Sequence, residues 1–243
     1  PDEPNNPPDP LDSRLRVAAD LYNRGITAAF KSADGLHAEL RSGIYDLPFG
    51  EIAVTFDESS LRWAGRRLTN LVPVAELKVR GLKARYRQPG IGAPLAATPV
   101  AVPGDSYADD FLSAETKVPV TAFLRLERPR SQLTRSRLQG KLEVYIPQTS
   151  SASPENTVTV GGRRVPLEIE TTATLAYALA ESPVWEQEIS RFFDNLGEKG
   201  RQRASLTLGG PYRPGRIPVV LVHGTASSVG RWAALVNRLT NDP

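Results

Sequence analysis

Apolar and polar residues alternate over much of the middle of this chain, and helical spacing takes over near both ends. After a Pro-rich opening, "LDSRLRVAADLYNRGITAAFKSADG" repeats apolar residues every three or four positions. Leu15, Ala18, Tyr22, Ile26 and Ala29 fall on one face, which predicts a helix with Asp12 or Ser13 as its cap. A helix with one apolar stripe must dock, and the module that follows is its expected support. From Leu36 onward the period is two. "GEIAVTF" would bury Ile52, Val54 and Phe56. "VPVAELKVRGLKARYR" (72–87), "VPVTAFLRLE" (118–127) and "GKLEVYIPQ" (140–148) read as further strands. "TVTVGGRRVPLEIE" predicts a hairpin around Gly161–Gly162. The stretch Arg87–Asp110 carries prolines and glycines without a pattern and reads as a long loop.

Helical spacing returns at "TTATLAYALAESPVWEQEISRFFDNLGEKG". A Thr caps it, Leu175 and Leu179 line a stripe, and Pro183 separates a second helical stretch with Trp185, Ile189, Phe192 and Phe193 facing inward. Last comes "IPVVLVHGTASSVGRWAALVNRLTNDP". Ile217–Val222 is continuously apolar and rich in β-branched residues, as in a strand covered on both faces. A loop follows, then a helix capped by Ser227 or Ser228, with Trp232, Leu235, Val236 and Leu239 on one face. These patterns divide the chain into a tail or linker (1–10), a docking helix (11–35), a β-rich module (36–170), a helical connector (171–210) and a strand–loop–helix (211–243).

Composition narrows the function classes. With 40% apolar and 23% charged residues, the chain resembles ordinary globular proteins. No apolar run approaches the roughly 18 residues of a membrane-spanning helix. There is no Cys, which removes disulfides, thiolate metal sites and cysteine nucleophiles; two His and no carboxylate cluster at ligand spacing leave no expected metal or cofactor. "GIGAP" lies in a Pro-rich stretch and lacks the helix a phosphate loop needs. The net charge of +3 is mild, and its Arg and Lys residues are interleaved with acids such as Glu127 and Glu143, so nucleic acid is not an expected partner. The chain opens on Pro1 and contains no Met, which is compatible with an upstream leader or lipid anchor and hence with membrane attachment through such a segment.

The segment "VVLVHGTASSVGRW" resembles the third strand and first helix of the α/β-hydrolase family. The stretches "DPLDSRLRVAADLYNRG", "LPFG", "YRQPGIGAPL", "LAYALAESPVWEQE" and "YRPGRIPVVLVHGTASS" resemble bacterial lipase- or esterase-like members with a long β-rich N-terminal extension, often carrying an envelope or lipoprotein signal. The implied fold class is α/β: a β-rich N-terminal module with flanking helices leads into the first core strand and helix of a hydrolase sheet. The resemblance implies that the backbone N–H of Thr225 or Ala226 forms half of an oxyanion hole. Gly224 would let backbone approach the substrate carbonyl, and His223 would shape the loop without serving as the catalytic base.

The nucleophile, acid and base of such an enzyme follow the His–Gly loop, and none is found in this chain. "GDSYA" (Gly104–Ala108) imitates a nucleophile elbow but precedes the His–Gly strand and lacks an apolar strand before it; His37, the other histidine, reads as structural or exposed and not as a catalytic base. The expectation is a serine ester hydrolase completed by a C-terminal remainder of the core, supplied as a separate or cleaved chain, and acting on a small ester or lipid. Alternatives are a non-catalytic binding or scaffold protein on the same fold, and a basic β module that binds an anionic surface such as phospholipid.

Overall fold

A computed structural model of the chain describes residues 13–47, 50–77, 79, 82–102, 112, 115–133, 137–147, 156–181, 217–222 and 229–241. The alternating segments build one seven-stranded mixed sheet. Its strands are β1 (Gly43–Leu47), β2 (Gly50–Phe56), β3 (Arg62–Trp63), β4 (Arg66–Pro73), β6 (Ala93–Val100), β7 (Val118–Leu126) and β8 (Arg137–Tyr145). Their order is β1-β2-β8-β7-β6-β4-β3. Only β2 and β8 run parallel; the other pairs are antiparallel. Two-stranded pairs accompany it: β9 (Thr157–Val160) with β10 (Arg163–Pro166), and β5 (Arg87–Gln88) with β11 (Ile169–Glu170). The helices among the described residues are α1 (Ser13–Ala29), α2 (Pro129–Leu133), α3 (Thr171–Glu181) and α4 (Ala233–Leu239). A mixed sheet with a few helices is compatible with the broad α/β class.

Period two decides which side chains reach the core. Ile52 and Val54 of β2 are buried, and Phe56 is partly so, against Leu138 and Leu142 of β8 and Val120 of β7. The opposite face of β7 carries Phe123, which packs with Val158, Leu167 and Ile169. β7 is therefore covered on both sides.

β6 corrects the long-loop reading of Arg87–Asp110. It is a central strand between β7 and β4. Its prolines, Pro94 and Pro99, stand one residue in from either end, where loss of a ladder donor costs least. Ala96 and Ala97 are both fully buried, so neither face is polar and no alternation marks the strand. A second correction concerns 72–87. The strand there begins earlier, at Arg66, and ends at Pro73; a 3-10 turn (Val74–Glu76) follows, and none of the described residues between it and β5 continues the ladder.

Helix α1 docks as expected, through its C-terminal half. Ile26 is buried, Tyr22 and Ala29 are partly buried, and Phe30 just beyond joins the core. Leu15 and Ala18, assigned to the same stripe, are exposed. Hydrogen bonds explain the offset. β7 runs past the start of β6, and there Tyr22 donates its hydroxyl to Leu124 O (2.6 Å) and accepts from Leu124 N (3.0 Å). Next to it, Asn23 donates to Gly90 O (3.1 Å) and accepts from Gly92 N (2.6 Å). The helix thus closes an open ladder end that would otherwise strand backbone donors and acceptors.

Candidate functional site

The region around the His–Gly motif is built from three described parts: the apolar segment 217–222, the 3-10 turn Val229–Trp232, and α4. His223, Gly224, Thr225 and Ala226 lie outside the described residues, as do Ser227, Ser228 and the "GDSYA" segment.

The apolar segment differs from its expected burial. Ile217, Val219, Val220 and Val222 are 89%, 61%, 72% and 77% exposed, and 217–222 joins no sheet among the described residues. Fully burying an aliphatic side chain gains about 1.5–3 kcal/mol, so these four partly exposed residues, equivalent to about three fully exposed ones, leave on the order of 4–9 kcal/mol unrealised. That is comparable with the whole stability of a typical domain.

α4 docks by the face that periodicity did not select. Ala233 and Asn237, four residues apart, are its buried positions. Leu235 and Leu239 are 38% and 44% exposed; Trp232 and Val236 are intermediate. The reason is a set of polar bonds that apolar spacing cannot report. Asn237 is 2% exposed, accepts from the Thr172 hydroxyl (3.0 Å) and donates to Ala84 O (2.9 Å). Thr172 also accepts from Tyr86 N (2.8 Å), and Thr171 donates to Asn241 Oδ1 (2.6 Å). The Trp232 indole N–H is buried without a hydrogen-bond partner among the described residues. Trp232 occupies the cap position of α4 and makes no side-chain cap bond.

The base of this platform is a pair of buried carboxylates. Glu170, expected to be followed by a Thr cap, itself caps α3: Oε1 accepts from Ala173 N (3.1 Å) and Oε2 from Arg85 Nε (2.7 Å). Glu168 accepts from Gly90 N (2.8 Å) and pairs with Arg87. That bond to Glu168, outweighing the opposing effect of burial, raises the Arg87 guanidinium above its ordinary value. Every carboxylate oxygen in this pair has a donor, which makes them framework groups and leaves neither as an idle base.

Two other polar clusters resemble catalytic sets in composition only. Ser32, Asp34 and His37 lie together, but Asp34 stands between the others. It accepts from Ser32 through Oδ1 and meets His37 Nδ1 (2.6 Å) through Oδ2. His37 therefore holds Asp34 and makes no bond to the Ser32 hydroxyl through its ring. The hydrogen bonds from Ser32, then Leu36 N and His37, hold Asp34 well below the carboxylate range. In the second cluster, Glu143 receives two bonds from Arg125 (3.0 and 2.9 Å) and one from Tyr145 (2.7 Å). Burial pushes the Glu143 carboxyl up, but those bonds prevail and its pKa is lowered. Among the described residues no group of three or more His, Asp or Glu could hold a metal, and no helix is long and apolar enough to cross a membrane.

No family model matches the sequence, and no curated protein or solved structure matches it either.

Proposed function

We propose that this chain is the N-terminal portion of a serine hydrolase acting on carboxylic esters. The observation that carries the reading is the valine-rich segment Ile217–Val222, apolar on both alternating faces and solvent-exposed, running directly into His223–Gly224. A segment of that kind is fitted to be an interior strand of a parallel sheet. The complementary feature is the exposed Leu235/Leu239 face of α4, an apolar surface on the helix that follows. The rest of the hydrolase core, supplied by polypeptide outside this chain, would cover both.

The chemistry follows from that assembly. The core contributes a serine whose hydroxyl attacks the ester carbonyl while a histidine takes its proton. As the carbonyl carbon becomes tetrahedral, its oxygen gains negative charge. The N–H of Thr225 or Ala226 donates to that oxygen; Gly224 leaves room for the approach, and His223 shapes the turn. Collapse of the intermediate expels the alcohol, which takes the proton from the histidine. Water then releases the acid by the same steps. A preorganised donor of this kind is worth roughly 3 kcal/mol in the transition state.

The test is to label the complete protein with a fluorophosphonate probe and map the modified residue by mass spectrometry. The reading expects one modified serine within a G-x-S-x-G turn of the companion polypeptide. A folded complete protein that takes up no probe would overturn it and favour a non-catalytic scaffold.

A further inference from the structure

We propose that Arg85 and Arg87 form a receptor for a phosphomonoester group. The site stands apart from the hydrolase reading and from the His–Gly motif. Each arginine is tied through Nε to a carboxylate almost wholly out of solvent. Arg85 reaches Glu170 (2.7 Å), with side chains 57% and 1% exposed; Arg87 reaches Glu168, with side chains 51% and 4% exposed. A carboxylate facing an arginine can take it by two parallel bonds, as Glu143 takes Nε and Nη2 of Arg125. Glu170 and Glu168 are denied that option. The second oxygen of each accepts from backbone, Ala173 N and Gly90 N. The Nη1 and Nη2 groups of Arg85 and Arg87 therefore make no hydrogen bond among the described residues. The buried acids hold the two stems, and both guanidinium forks remain open at a half-exposed surface.

The backbone between the arginines is held as well. Tyr86 N donates to the Thr172 hydroxyl (2.8 Å), and Tyr86 O accepts from Thr171 (3.4 Å). The two glutamates lie two residues apart at β11, as the arginines do at β5, and β5 pairs with β11. Residues two apart on a strand share a face and stand about 6.5–7 Å from one another, which places both forks on one side. The glutamates cancel the charge of the arginines, and Asp20 beyond them is paired with Arg24 (2.8 Å). Lys83, exposed two residues before Arg85, tips the local balance to positive.

Two open forks on one side suit an anion with more than two acceptor oxygens. A carboxylate spends both of its oxygens on one fork, and a phosphodiester has two unesterified oxygens. A phosphomonoester has three and carries about −1.5 to −2 charges at pH 7, so it can accept from both forks at once. Such a group could sit on a free small molecule or on a lipid headgroup.

The experiment titrates the full chain by calorimetry with phenyl phosphate, dimethyl phosphate and acetate at equal ionic strength. It also sediments the chain with phosphatidylcholine vesicles containing phosphatidic acid or, at matched surface charge, phosphatidylglycerol. Phenyl phosphate is expected to saturate the site with affinity at least about tenfold above that of dimethyl phosphate or acetate, the scale of one charged hydrogen bond. Preferential recruitment to phosphatidic acid would assign the phosphate to a lipid; phenyl phosphate binding without that preference would assign it to a free small molecule. Arg87→Lys keeps a cation beside Glu168 but has no fork, and should weaken phenyl phosphate binding by about tenfold. Arg163→Gln removes one exposed positive charge from β10 and should change it by less than about twofold. Equal affinity of the wild-type chain for all three anions, or equal losses in the two variants, would reduce the effect to diffuse charge and overturn the proposal. The wild-type comparison decides the matter even if Arg87→Lys fails to fold.

Discussion

Replacing Tyr22 by Phe deletes one oxygen and tests how α1 is held. The hydroxyl donates to Leu124 O at 2.6 Å and accepts from Leu124 N at 3.0 Å, at the end of β7 that β6 does not reach. The substitution keeps the ring, which packs on Phe123 with centroids 5.8 Å apart, so little apolar burial changes. Both backbone groups of Leu124 lose their partner. An orphaned buried donor or acceptor costs about 1–3 kcal/mol, and Leu124 is only partly buried, so the two together should cost about 2 kcal/mol. Urea denaturation followed by Trp fluorescence reads this directly. With a slope near 2 kcal/mol per molar, the midpoint should fall by about 1 M at unchanged slope. A midpoint shift below about 0.25 M would refute the idea that this hydroxyl closes the ladder.

Burial raises the Tyr22 hydroxyl above the ordinary tyrosine range, and burial raises Tyr145 as well. Their neutral forms are favoured in the folded state, so this stability is complete below about pH 10 and declines as pH rises toward the folded values. Tyr22→Phe should flatten that alkaline decline in a series of melts, and Tyr145 should leave a remainder. At the acid end, Glu143 has a lowered pKa, so its contribution is present above about pH 4.3 and disappears as pH falls; Glu143→Gln should reduce the acid sensitivity of Tm. A Cβ at Gly90 would overlap the backbone of Pro166 and Leu167, which cannot step aside, so Gly90→Ala should cost about 3 kcal/mol. Gly162 faces open space but has φ +76°, so Gly162→Ala should cost about 1 kcal/mol by the same denaturation assay.

Strands with one covered face were legible in the sequence. The alternation in "GEIAVTF" marks the residues that β2 buries, and the Gly161–Gly162 hairpin lies where its turn residues indicate. β6 was not legible, because a strand with buried alanines on both faces and a proline near each end has neither alternation nor β-branched enrichment. The first turns of α1 share the stripe of the last ones, yet only the end near Tyr22 and Asn23 finds backbone groups to satisfy. α4 shows the same limit more sharply. Its leucines define a face by spacing, and its contacts with α3 and with Ala84 run through amides and hydroxyls. A buried Asn in a helix gives no periodic signal; what could have marked it is its position four residues from Ala233 and four from Asn241. Of the proposed site, the motif was readable as a motif, whereas the Thr172–Asn237 bond joins residues 65 apart and emerges only from the fold.

The most direct test is hydrogen exchange at the amides of Val219, Val220, Leu221 and Val222, measured in this chain alone and in the chain assembled with its companion core. The account predicts rapid exchange in the isolated chain, where the segment is exposed and unpaired among the described residues, and protection by several orders of magnitude in the assembly, where it becomes an interior strand. Equally rapid exchange in both would contradict the proposal that this segment is an interior strand of a hydrolase sheet.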